Sequence, residues 1–90
     1  MTDPEIASLR LDKFLVFVRF CKTRAVAEAL VAQGAVRVNR QPTVKPDFRL
    51  RVGDVLTLAL PQGVKVVEVL GLPEKRDSAQ LARCCYQELD

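Results

Sequence analysis

The sequence predicts an α+β fold: two short helices packed on a small bent, antiparallel-rich sheet, with a short helix at the C-terminal end. Three observations carry that prediction. Apolar residues recur at helical spacing over 11–33, they alternate with period two from 35 onward, and the breaks between segments hold Gly, Pro and Asn. Ninety residues suit one domain with a modest core. With four Phe, one Tyr and no Trp, that core must be filled by aliphatic side chains.

Residues 1–8 read as a polar leader. Leu11, Phe14, Leu15 and Val18 then follow the i, i+3, i+4, i+7 pattern of a helix from about Leu11 to Phe20. Arg10, Lys13 and Arg19 fall away from that stripe, and Asp12 in the first turn suits the helix dipole. Cys21 and Lys22 leave room only for a tight turn. Thr23 is a good N-cap for a second helix running to about Gln33, with Val26, Ala27, Leu30 and Val31 as its buried face. Gly34 supplies the left-handed residue that ends it. Helices joined this closely pack at a steep angle.

Val36 and Val38 alternate with Arg37 and Asn39 as a half-buried strand does. Asn39 to Pro42 is turn-like, Val44 starts a return, and Lys45-Pro46-Asp47 interrupts it before Arg49 to Val52. After a turn at Gly53-Asp54, Val55–Leu60 and Val64–Leu70 form a hairpin about Pro61-Gln62-Gly63, with Thr57 and Lys65 on its polar side. Pro73 to Asp77 is a charged connection. Ser78 to Leu89 can form a short helix with Leu81, Cys85 and Leu89 at i, i+4, i+8. The domain is therefore expected over 9–72, its core motif over 9–58, and a tail over 73–90.

Composition excludes several classes. No apolar run approaches the about 18 residues of a membrane span, and the acidic N-terminus lacks the build of a signal peptide, so a cytoplasmic protein is expected. Cys21, Cys84 and Cys85 are odd in number and two are adjacent, a poor disulfide framework that fits a reducing compartment. Without His or a CxxC pair there is no support for a metal site. Catalysis lacks an inventory as well: there is no phosphate-cradling glycine loop, and Cys21 has no general base in view. No enzyme activity, cofactor or small-molecule substrate is expected.

Charge is unevenly spread. Residues 9–58 hold ten basic and four acidic side chains, a balance of +6, whereas the remainder holds four against seven, a balance of −3. The start of the second helix combines a positive dipole end and free amides with Lys22, Thr23 and Arg24, a ready phosphate site. Arg10 and Lys13 lie one helix away, and Arg37 and Arg40 project from the first strand and its turn. A basic groove between helix pair and sheet is expected to follow a nucleic-acid backbone. Any one of these cations alone is more simply read as a solvated surface residue.

The ordered string Arg10-Leu11-Asp12-Lys13-Phe14-Leu15, Thr23-Arg24, Ala27, Leu30-Val31, Gly34, Val36-Arg37-Val38-Asn39, Pro46 and Val52-Gly53-Asp54-Val55 resembles the S4 RNA-binding domain family. The resemblance covers residues 9 to about 58. It implies the αL RNA-binding fold, and it implies that Arg10, Lys13, Lys22, Thr23, Arg24, Arg37 and Asn39 grip structured RNA. Arg40 and Lys45 are added here as further phosphate contacts. The stand-alone length resembles the ribosome-associated heat-shock branch of the family, which implies rRNA of the large ribosomal subunit as partner and a role in ribosome rescue or recycling under stress. Two features depart from the pattern: Arg40 stands where the family usually has Gly, so the turn must be built differently, a left-handed Asn39 being one way to do it, and the tail is short and acidic. Two alternatives compete with this reading: a protein-interaction module using the tail or an exposed edge at Val64–Leu70, and a double-stranded DNA reader of helix-turn-helix type.

Overall fold

The computed structural model describes residues 7–76 and 78–89. In chain order the elements are β1 (Leu9–Arg10), α1 (Leu11–Phe17), α2 (Arg24–Ala32), β2 (Val36–Val38), β3 (Gln41–Pro42), β4 (Arg49–Leu50), β5 (Val55–Leu60), β6 (Gly63–Val69), α3 (Ala79–Arg83) and β7 (Tyr86–Leu89). Five strands form one antiparallel sheet in the order β3-β2-β5-β6-β7, and β1 pairs separately with β4. The α+β class is as the periodicity predicts.

Leu11, Phe14 and Leu15 of α1 and Ala27 and Val31 of α2 pack against Val36, Leu50, Leu56, Leu58, Val67 and Val69, all fully buried. Burying one such large aliphatic or aromatic side chain is worth about 1.5–3 kcal/mol, so this one-sided helix layer is what holds the sheet. Val26 does not join it. It is 51% exposed, because Ala27 and Val31 already carry the contact and the stripe of α2 is narrower than expected.

Both helices end in the same hydrogen-bonding motif. In α1 the Arg19 N–H donates to Val16 O (3.0 Å) and the Phe20 N–H to Leu15 O (2.9 Å), which closes the helix earlier than Phe20. In α2 the Gly34 N–H donates to Val31 O (3.0 Å) and the Ala35 N–H to Leu30 O (3.3 Å). The motif needs a left-handed residue, and Gly34 (φ 80°) supplies it without strain while Arg19 (φ 71°) carries a Cβ there.

Val38 faces Gln41 across a two-residue turn in which Asn39 (φ 51°) and Arg40 (φ 72°) are both left-handed, as a type I′ hairpin requires. Asn39 turns as its side chain predicts, and Arg40 follows it. The β5–β6 hairpin pairs Leu60 with Gly63, so its turn is Pro61-Gln62.

Two expectations are corrected. Lys65 faces Leu58 in register and lies on the helix side of the sheet, where its ammonium pairs with Glu88 and sits 5.9 Å from the centroid of the Phe20 ring. The helices do not cover that end of the hairpin, so a cation with a long stem fits its margin. The segment Ser78–Leu89 is not one helix. Ser78 accepts from the Leu81 N–H and starts α3, which stops at Arg83, and Tyr86–Leu89 then pairs with Val66–Val69. Ala82, not Leu81, is the buried residue of α3. Strand pairing with an otherwise open edge outweighs the helical spacing of Leu81, Cys85 and Leu89.

Candidate nucleic-acid interface

The corner where α1 and α2 begin is built around Asp12, whose side chain has no solvent exposure. Its carboxylate accepts from Arg10 Nε (3.0 Å) and Nη2 (2.9 Å), from Arg24 Nε (3.2 Å) and from the Lys13 N–H (2.8 Å). Burial pushes this carboxyl up, but the bonds from Arg10 and Lys13, the Arg10 charge and the bond from Arg24 together hold it below the ordinary aspartate value. The bond to Asp12 raises Arg10 in turn, against a smaller opposing effect of burial, with the charges of Asp12, Asp47 and Glu28 adding to the rise. Arg24 also reaches Glu28 at 3.4 Å.

The start of α2 is open. Thr23 caps it, its Oγ1 accepting from the Val26 N–H at 3.2 Å, and residues 22–26 are all exposed. The Arg24 and Ala25 N–H groups take no acceptor among the described residues. Free amides, a dipole end, Lys22 and Arg24 thus meet at one exposed point, the arrangement that binds an anion without further reorganisation.

Lys45 opens the loop that crosses the start of α1, where the Asp12 N–H donates to Pro46 O (3.0 Å) and the Leu11 N–H to Phe48 O (2.8 Å). The loop brings Lys45 to the end of α1 that carries Arg10 and Lys13. Arg37 is placed elsewhere. Val36 and Val38 face the helices, so Arg37 stands exposed on the outer face of the sheet, opposite Thr57 in register. Arg40 is exposed at the hairpin tip. Asn39 is engaged within the protein: its Nδ2 donates to Asp54 Oδ1 (3.1 Å) and its Oδ1 accepts from the Val55 N–H (2.9 Å). The structure therefore gathers Arg10 and Arg24 directly, sets Lys13, Lys22 and Lys45 on the segments around them, and divides Arg37 and Arg40 from that corner.

Asp12 is the residue that reading the sequence missed as part of the site. Its signal was there: one acid inside a run of cations, two residues after an arginine. An apolar groove of about 470 Å³ between α2 and the β5–β6 turn, lined by Phe20, Val26, Leu30, Leu60 and Pro61, meets this corner at Lys22, its one charged residue. Burial pushes the Cys21 thiol up, away from a nucleophilic thiolate. Among the described residues no group of three His, Cys, Asp or Glu side chains could hold a metal ion, and no helix is long and apolar enough to cross a membrane.

These elements, two helices packed on an antiparallel sheet with cations at the helix starts, define a domain class, and the comparisons agree with it. The S4 domain family model matches residues 9–56, and the chain belongs to that family of RNA-binding domains. Within it, the chain is similar to heat shock protein 15. It is 35% identical over 82 residues to the heat shock protein 15 homolog of Haemophilus influenzae, covering 91% of this chain and 62% of that protein. The trimeric structure of Vibrio cholerae heat shock protein 15 superposes with a TM-score of 0.86 at 32% identity, covering 92% of this chain and 83% of that one. The small ribosomal subunit protein uS4 of Neisseria meningitidis is 34% identical over 70 residues, 76% of this chain and 34% of its own length. The chain spans about three fifths of the length of the Haemophilus relative.

Proposed function

We propose that this domain binds structured RNA, specifically rRNA of the large ribosomal subunit, by phosphate and shape recognition, and that it acts in ribosome rescue or recycling under stress. Its place of action on this reading is the cytosol. The observation that carries the reading is the exposed start of α2, where Lys22, Thr23 and Arg24 surround two amides that take no acceptor among the described residues, beside the Arg10–Asp12–Arg24 cluster. The likeness to heat shock protein 15 supports the role under stress, the likeness to the ribosomal protein uS4 supports an rRNA target, and the helix-start geometry supports the phosphate contacts. The rival readings have less support. Val66–Val69 is already paired with β7, so it is not an edge open for strand addition. Beyond Arg24, the exposed face of α2 carries Ala25, Val26, Glu28, Ala29 and Ala32, which offer little for reading bases in a DNA groove.

The test is binding to purified large ribosomal subunits and to protein-free rRNA over a salt titration, for wild type and for a Lys22→Ala, Arg24→Ala double variant. With about five phosphates engaged, affinity falls by roughly two to three orders of magnitude from about 50 to 200 mM salt, and the double variant weakens it with a shallower slope. Absence of binding at low salt by the folded wild type would overturn the proposal. Equal affinity for small and large subunits would remove the ribosomal-subunit assignment.

A further inference from the structure

Arg10 belongs to β1 and Arg24 to α2, yet both guanidiniums end on one carboxylate that has no solvent exposure. A guanidinium has five N–H donors. Arg10 uses two positions on Asp12 and Arg24 one, at Nε, so each keeps terminal donors for another acceptor. The side chains of Arg10 and Arg24 are 31% and 51% exposed, so those donors reach solvent while Asp12 does not. Asp12 also holds the first turn of α1 through the Lys13 N–H and takes the loop carbonyl of Pro46 on its own N–H.

We propose that Asp12 is a positioning residue for phosphate recognition, fixing Arg10 and Arg24 from two separate elements as a single guanidinium clamp for one phosphodiester. The inference rests on the RNA-binding reading and deepens it. A free arginine must lose rotamer freedom when it meets a phosphate, whereas one already tied at Nε has lost it on folding. An anion inside the site thereby strengthens anion binding. Charge alone gives the opposite sign, because replacing Asp12 by Asn raises the formal net charge from +3 to +4.

That opposition of sign is the test. Asp12→Asn keeps the side-chain shape, and its affinity for protein-free large-subunit rRNA is expected to fall about tenfold at fixed salt, with the salt slope shallower by about one phosphate. Affinity equal to or above wild type would overturn the proposal. Thermal unfolding of the variant checks that it remains folded. Should it not, the Arg10→Lys, Arg24→Lys double variant decides the matter, because it keeps every charge and removes the fork geometry. Its weakened binding supports the clamp, and full affinity overturns it. Failure of the wild type to bind RNA at all is a different result, which removes the underlying reading and this inference with it.

Discussion

Residues 9–58 and residues 59–89 both hold charged side chains together, at opposite depths. In the first region Asp12 is buried under Arg10 and Arg24, while in the second Lys65 and Glu88 meet where their side chains are 30% and 54% exposed. Backbone strain divides the same way. Among the described residues, every non-glycine residue with positive φ (Arg19, Asn39, Arg40) lies in the first region, whereas the second turns left-handed only at Gly63. Costs of this kind persist where the surface made from them has a use. On the proposed reading, the cationic region presents groups at fixed positions, while the second region closes the sheet behind it.

Removing the two anions sharpens the contrast most. Asp12→Ala leaves the Lys13 N–H without its acceptor and frees two guanidiniums, and is expected to cost about 1–3 kcal/mol in urea unfolding. Glu88→Ala should cost under about 1 kcal/mol and lose even that at high salt. Equal costs at the two sites would break the comparison.

Acid should separate the regions next. The Asp12 carboxyl is held below its ordinary value, so its contribution is fully present above the unfolded aspartate pKa of about 3.9 and is lost as pH falls through the lower, folded value. Stability of the wild type is therefore expected to decline below about pH 4 more steeply than that of Asp12→Asn. Parallel pH curves would show that the buried carboxylate is not the group responsible.

The smallest effect tests the strain. Arg40→Gly removes a Cβ from a left-handed position and is expected to raise stability by about 1 kcal/mol, a gain offset in part by the freer unfolded chain, while lowering RNA affinity if Arg40 meets a phosphate. Higher stability with unchanged affinity would make Arg40 a residue of the turn alone.

What the sequence made legible follows the range of each interaction. The caps at Thr23 and Gly34, the left-handed Asn39 and the β5–β6 hairpin depend on neighbours within a few residues, and all were readable. β7 was not. Tyr86–Leu89 has no clean alternation, and its conformation is set by β6, nearly twenty residues earlier in the chain. Lys65 was placed on the polar side because alternation says nothing about where the helices stop covering a sheet. The cations of the site were legible as types, but their grouping was not: Arg37 and Asn39 stand two positions apart in the same family string as Arg24, yet one faces away from the helices and the other is spent on Asp54 and Val55. Asp12 looked like a dipole residue because, although Arg10 and Lys13 are its neighbours, nothing local reveals that Arg24 reaches it from twelve positions along the chain.

The loop at Pro46–Phe48 has a consequence for how the domain meets a polyanion. Two parallel opportunities exist in principle, one at each helix start, but the carbonyls of Pro46 and Phe48 and the Asp12 carboxylate already occupy the first three amides of α1. That socket is plugged by the protein itself. On the proposed RNA-binding reading, an incoming phosphate would find backbone donors at α2 and side-chain donors at α1, so the two halves of the corner would not be interchangeable, and a strand laid across them would have a preferred way round.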